Sequence, residues 1–299
     1  MQFSSLFPDA YIDRSTEAIA FRKTNVRICD VAFSEITPLA VGALRWIDGG
    51  SATIISTPAR CVAIIRVVAV QTNALERTHI DGWTYLVSIT STAATFIVRC
   101  QPVGVDHKEI ASVLTREIEK ATLPEDTTPE SLVDPLRVLA ERSVGNGVID
   151  GSSRLLHPLL AEVAKRPAIA KTSELLTNNG RPLASALQER APSGVWYARV
   201  GPLVLVRLHP HASHIFIVES ANDELLSALM AWSADVTFYG YPYPLILADQ
   251  LARITNQERD MWRATLACDP VYGMMLAKEL RSTDAHDVLE HILYGKQMF

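Results

Sequence analysis

Apolar residues in the first third of the chain alternate or run together in short stretches, which is the spacing of strands. Ala43–Asp48 (ALRWID) reads as a short strand closed by Gly49-Gly50, and Ala52–Ser56 (ATIIS) as a second. Cys61–Gln71 (CVAIIRVVAVQ) is a third, rich in the β-branched residues that suit a pleated, half-buried surface. Thr84–Thr90 and Thr95–Cys100 follow a polar loop and complete a meander. Residues 1–40 are mixed, with room for a helix and no clear period.

The period then changes. Lys108–Leu123 places Ile110, Val113, Leu114 and Ile118 on one helical face, and Pro124 ends it. Pro129–Arg142 repeats the pattern with Leu132, Leu136 and Leu139. After a Gly-Asn-Gly break, Val148–Asp150 predicts a short strand followed by Gly151-Ser152-Ser153. A helix is expected over Arg154–Lys165, a strand over Ala168–Lys171 and a short helix over Pro182–Glu189. Three strands follow, at Gly194–Val200, Leu203–Leu208 and His214–Glu219. The pattern ends with a helix over Asn222–Trp232, a short or edge strand over Asp235–Tyr239, a helix over Pro244–Arg253 and helical sequence to the end. This order predicts an α/β fold with a mixed sheet. No Pro/Ser/Gly-rich linker interrupts it, so one domain spanning 1–299 is expected.

With 299 residues, 48% of them hydrophobic, the chain can bury an ample core, and a collagen, coiled coil or mucin-like stalk is excluded. The formal charge of −5 shows no basic tail of the kind that announces a nucleic-acid partner. The four cysteines form no CxxC pair, and three lie in apolar strand-like runs, so buried reduced thiols are expected. The N-terminus has no basic stretch leading into an apolar one, and apolar runs such as Cys61–Val70 are interrupted by Arg66. None approaches the roughly 20 residues of a membrane span. A soluble, cytoplasmic protein without a membrane is the expectation.

Two places share a design: Asp48-Gly49-Gly50-Ser51 and Asp150-Gly151-Ser152 each follow an apolar strand. A strand end holds its carboxylate rigidly, and the glycine leaves room for another group to approach. Two such strands side by side would bring two carboxylates together, which requires a cation between them, a role hard divalent ions fill. The bland alternative is two turns, since Asp-Gly is a common hairpin signal. A third carboxylate is expected from a helix. Glu119 lies at the edge of the apolar stripe, with Glu117, Glu130 and Asp134 as competitors, and a solvated surface role is open to each. Tyr239-Gly240-Tyr241-Pro242-Tyr243-Pro244 forces an extended approach to a helix carrying Asp249. It reads either as a rigid aromatic connection or as the rim of a site. His209, His211 and His214 cluster at a turn, where a solvated role competes with metal binding.

These residues resemble the NurA nuclease family. The resemblance rests on Asp48-Gly49-Gly50-Ser51, Asp150-Gly151-Ser152, Lys171-Thr172-Ser173 and Gly240-Tyr241-Pro242-Tyr243-Pro244-Leu245-Ile246-Leu247-Ala248-Asp249. It runs from about residue 43 to about 255, with 1–42 and 256–299 left as appendages for dimer or partner contacts. It implies an RNase H-like core whose acidic residues bind Mn²⁺ or Mg²⁺, with a two-metal site. It also implies a nuclease that cuts single-stranded DNA and trims DNA ends, as a homodimer working with a HerA-type hexameric translocase in end resection or phage defence. Carried over residue by residue, Asp48 and Asp150 match strand ligands, Glu119 the helix ligand, Tyr241 the tyrosine near the site, and Lys171 a basic residue near the scissile phosphate. Asp249 stands where many members have His; it could still ligate a metal, but it is not an imidazole acid or base.

Overall fold

The computed structural model describes residues 16–21, 24–40, 42–73, 78–93, 95–104, 108–151, 158–160, 166–171, 175–235, 238–270 and 272–274. Near its start, β1 (Ala18–Ala20) and β2 (Asn25–Arg27) pair antiparallel, and β3 (Phe33–Ser34) follows a single 3-10 turn. The described part of residues 1–40 is therefore short strands, without the helix that its composition allowed.

Four long strands come next: β4 (Leu44–Thr57), β5 (Arg60–Thr72), β6 (Thr78–Ser91) and β7 (Phe96–Val103). The meander is as expected, with one correction. Ala43–Asp48 and Ala52–Ser56 are not two strands, because β4 runs unbroken through Gly49-Gly50 and pairs with β5 along its length. The glycines clear space on the two faces of one strand instead of ending it. A Cβ at Gly49 would collide with the Glu141 side chain, and one at Gly50 with the Ala252 carbonyl.

The helices α1 (Lys108–Lys120) and α2 (Val133–Ser143) then lead to β8 (Val148–Asp150) and β9 (Ala168–Ala170). Most of the helix expected over 154–165 lies outside the described residues, where only a 3-10 turn at Pro158–Leu160 is described. After α3 (Leu183–Gln188) come β10 (Trp196–Val200), β11 (Leu203–Arg207) and β12 (Phe216–Glu219). The chain continues through α4 (Asp223–Trp232), α5 (Tyr243–Ala252) and α6 (Asn256–Ala267). Of the strand expected over Asp235–Tyr239, residues 236–237 lie outside the described residues; Asp235, Phe238 and Tyr239 are not in a strand, and the Phe238 N–H donates to the Asp235 carbonyl.

Ten strands form one sheet in the order β3-β10-β11-β12-β9-β8-β4-β5-β6-β7. Its centre joins an antiparallel unit, β4-β5-β6, to β8 and β9, which run parallel to β4. That mixed centre, flanked by helices, is the α/β arrangement the sequence predicts. Alternation along β5 divides the core: Ala63, Ile65 and Val67 face α1 and α2, while Ile64, Val68 and Val70 face the opposite way. On that opposite face Leu225 and Leu229 of α4 and Leu245 and Ala248 of α5 complete a core with Trp46 and Val218. No helix among the described residues is long and apolar enough to cross a membrane.

Candidate metal centre

Asp48 sits inside β4, one residue beyond its parallel pairing with β8, at Trp46–Val148 and Ile47–Ile149. It points to the face covered by α5, because Trp46, two positions earlier, packs in the core on that side. Asp150 ends β8, and Gly151 at φ +107° turns the chain away. Asp249 arrives from α5, whose start is set by Pro242 and Pro244. One carboxylate oxygen from each of Asp48, Asp150 and Asp249 lies within 4.8 Å of the others. Two strands and a helix thus deliver three acids to one point.

The electrostatics follow from that crowding. Asp48 is buried, and its carboxylate accepts a hydrogen bond from the Gly49 N–H at 2.7 Å. Burial first, then the charges of Asp150 and Glu141, push the Asp48 carboxyl up to about 8. Lys171, just after β9, donates to Asp150 at 2.6 Å and sits 4.7 Å from the centre of the Tyr241 ring. The Tyr241 hydroxyl is buried beside Asp150; burial and that charge raise it above its ordinary value of 10.

Of the acids expected from a helix, none joins this group. Glu119 is exposed on α1, Glu117 pairs with Arg116 and Lys120, and exposed Glu130 accepts from Ser56. The helix acid near the site is Glu141 of α2, which approaches β4 at Gly49 from the other face of the sheet. It is buried against Arg137, which also pairs with Asp134 and reaches the Gly49 carbonyl at 3.4 Å. Burial raises the Glu141 carboxyl to about 7 although Arg137 opposes the shift. Apolar spacing gave no signal for it: Glu141 lies three residues after Val138 and four after Arg137, off the Leu132–Leu136–Leu139 face.

His209, His211 and His214 enter no group of three metal-holding residues among those described. His209 instead stacks on Tyr239, with ring centres 4.3 Å apart. Ser152, Ser153, Thr172 and Ser173 lie outside the described residues. Among the cysteines Cys61 is buried, Cys29 and Cys100 are half-buried and Cys268 is exposed.

Residues 152–254 match the NurA domain family. The matched stretch of the NurA domain includes Lys171, Tyr241 and Asp249; Asp48 and Asp150 lie before it and meet those residues in the folded chain. No curated protein matches the chain. Among solved structures it is similar to the NurA nuclease from Sulfolobus solfataricus, at 14% identity over 86% of this chain and 90% of that one, with a TM-score of 0.41. A second NurA structure gives 10% identity over 80% and 91%, with a TM-score of 0.43. The endonuclease V from Bacillus subtilis gives 11% identity over 80% and 90%, with a TM-score of 0.38.

Proposed function

We propose that the chain is a divalent-metal-dependent deoxyribonuclease acting on single-stranded DNA and DNA ends. The observation that supports it is the convergence of Asp48, Asp150 and Asp249 beside Lys171. An all-carboxylate set without thiolate or imidazole fits Mg²⁺ or Mn²⁺. The upward shift of Asp48, from burial and the neighbouring carboxylates, supports a cation in this place. Bound there, two such ions would activate the attacking water and offset charge on the leaving oxygen.

The chain's own residues have distinct tasks in this reading. Asp48, held rigidly inside β4, anchors the site; Asp150 and Asp249 complete it. Lys171 turns from Asp150 to a phosphate oxygen, and the Tyr241 ring limits where the ammonium can go. Glu141, fixed by Arg137, supports the Gly49 stretch from behind. A homodimer acting with a HerA-type hexameric translocase, in the cytoplasm and in end resection or phage defence, completes the proposal.

A second reading is favoured by Asp249 in the place of the family's His: an inactive or weakly active subunit that docks on a translocase and gates DNA. Incubation with matched single-stranded DNA and RNA in Mn²⁺ separates the two. The nuclease reading expects DNA degradation that disappears in Asp48→Ala and in chelator. Wild-type chain that leaves both strands intact supports the gating subunit, and degradation of RNA alone contradicts both readings.

A further inference from the structure

A groove of about 1050 Å³ is lined by Asp249 of the acid cluster and its neighbours Lys171 and Tyr241, together with Phe238, Tyr239 and His214. Phe238 is 46% exposed and Tyr239 42%, which is unusual for rings that a core could absorb. Their placement is built rather than accidental. The turn at 238–241 is locked against the turn at 209–212, because Gly240, at φ +88°, approaches so closely that a Cβ would collide with Ala212. The Gly240 N–H donates to the Ser233 carbonyl at 2.9 Å. Arg207 holds the other turn by donating to the carbonyls of Ala212 and Pro210. His209 then stacks on Tyr239, its ring tilted by only 14°, and stiffens the shelf.

We propose that this aromatic shelf is a stacking subsite for an unpaired nucleobase of the strand entering the acid cluster; the proposal rests on the nuclease reading above. Flat rings presented without a core to fill give π-faces that any base can stack on. Lys171 supplies the cation for the neighbouring phosphate, and Gln188 on α3 adds a polar group to the groove's lining. In a duplex each base face is taken by its neighbours in the stack, so the shelf selects for unstacked nucleotides next to the scissile bond.

Fluorescence anisotropy in EDTA tests this with short labelled oligonucleotides: single-stranded, duplex, and single-stranded with one abasic position scanned along it. In Phe238→Ala/Tyr239→Ala, single-strand affinity falls about tenfold, the scale of one lost stacked base, while duplex affinity is unchanged. One abasic position weakens wild type similarly and leaves the variant unaffected. Both residues are exposed, and an unshifted melting temperature and Mn²⁺ titration show that the fold and the acid cluster persist. Equal affinities in variant and wild type, equal loss on duplex, or an abasic penalty that survives in the variant overturns the subsite. Wild type that cleaves DNA alongside any of those results leaves the nuclease reading standing; wild type that neither binds nor cleaves DNA overturns both.

Discussion

Asp48 and Asp150 reach the same point from strands built in opposite ways. Asp48 sits within a 14-residue strand, paired with β5 on one side and next to β8 on the other. Asp150 ends a three-residue strand, and the chain turns away at once through Gly151. The neighbouring glycines differ accordingly. Gly49 and Gly50 make room for Glu141 and the end of α5, whereas a Cβ on Gly151 would meet open space and be opposed only by the positive φ. One acid is immobilised by packing on every side and carries a raised pKa; the other keeps a lysine partner that can exchange for substrate. On the proposed reading, a site that binds a cation and then releases a product uses both kinds of support.

The comparison is broken most sharply by removing the charges one at a time. Asp48→Asn and Asp150→Asn should each lower Mn²⁺-dependent cleavage about a thousandfold, the scale of several kcal/mol supplied by a metal. Melting at pH 8 without metal should separate them: Asp48→Asn should be more stable than wild type because it removes a buried, repelled carboxylate. Asp150→Asn relieves the repulsion on Asp48 but removes the carboxylate that pairs with exposed Lys171, opposing effects that should leave it within about 1 kcal/mol of wild type. Next in size, Glu141→Gln breaks a buried pair and should cost about 3–5 kcal/mol in denaturant unfolding, whereas exposed Glu119→Gln should lie within about 0.5 kcal/mol of wild type. Gly50→Val should cost about 1–3 kcal/mol through overpacking against α5 and weaken Mn²⁺ binding by moving Asp249. Gly151→Ala should cost about 1 kcal/mol, through the left-handed backbone alone.

The pH dependence tests the same comparison without a substitution. The Asp48 carboxyl is raised from 3.8 to about 8 in the fold, so the unfolded chain releases this proton first as pH rises. Its contribution is fully present below the ordinary carboxylate range and is lost as pH climbs toward 8. Metal-free protein should therefore melt higher at pH 6 than at pH 8, and added Mg²⁺ or Mn²⁺ should raise the melting temperature more at pH 8. A metal-induced shift that is larger at pH 6 would contradict this assignment.

The meander, most of the helices and the pairing of Asp48 with Asp150 were legible because they depend on local periodicity and on glycine next to aspartate. The unbroken course of β4 was not. Gly49-Gly50 has the local chemistry of a strand end, and only the tertiary approach of Glu141 and Ala252 keeps the strand continuous there. Glu119 lies at the edge of one helical stripe yet is exposed, whereas Glu141 lies off the Leu136–Leu139 face and is buried with Arg137, four residues earlier, as its partner. Asp249 was legible through the Tyr-Pro-Tyr-Pro approach to α5, since those prolines set where the helix starts. The stacking of His209 on Tyr239 joins residues 30 positions apart and follows from no local pattern.

The central claim is that Asp48, Asp150 and Asp249 together hold a divalent cation. Anomalous diffraction from crystals soaked in Mn²⁺ tests it directly. A peak within about 2.6 Å of an oxygen from each of the three carboxylates is the predicted result. A peak elsewhere in the molecule, or none between these acids at saturating Mn²⁺, contradicts it.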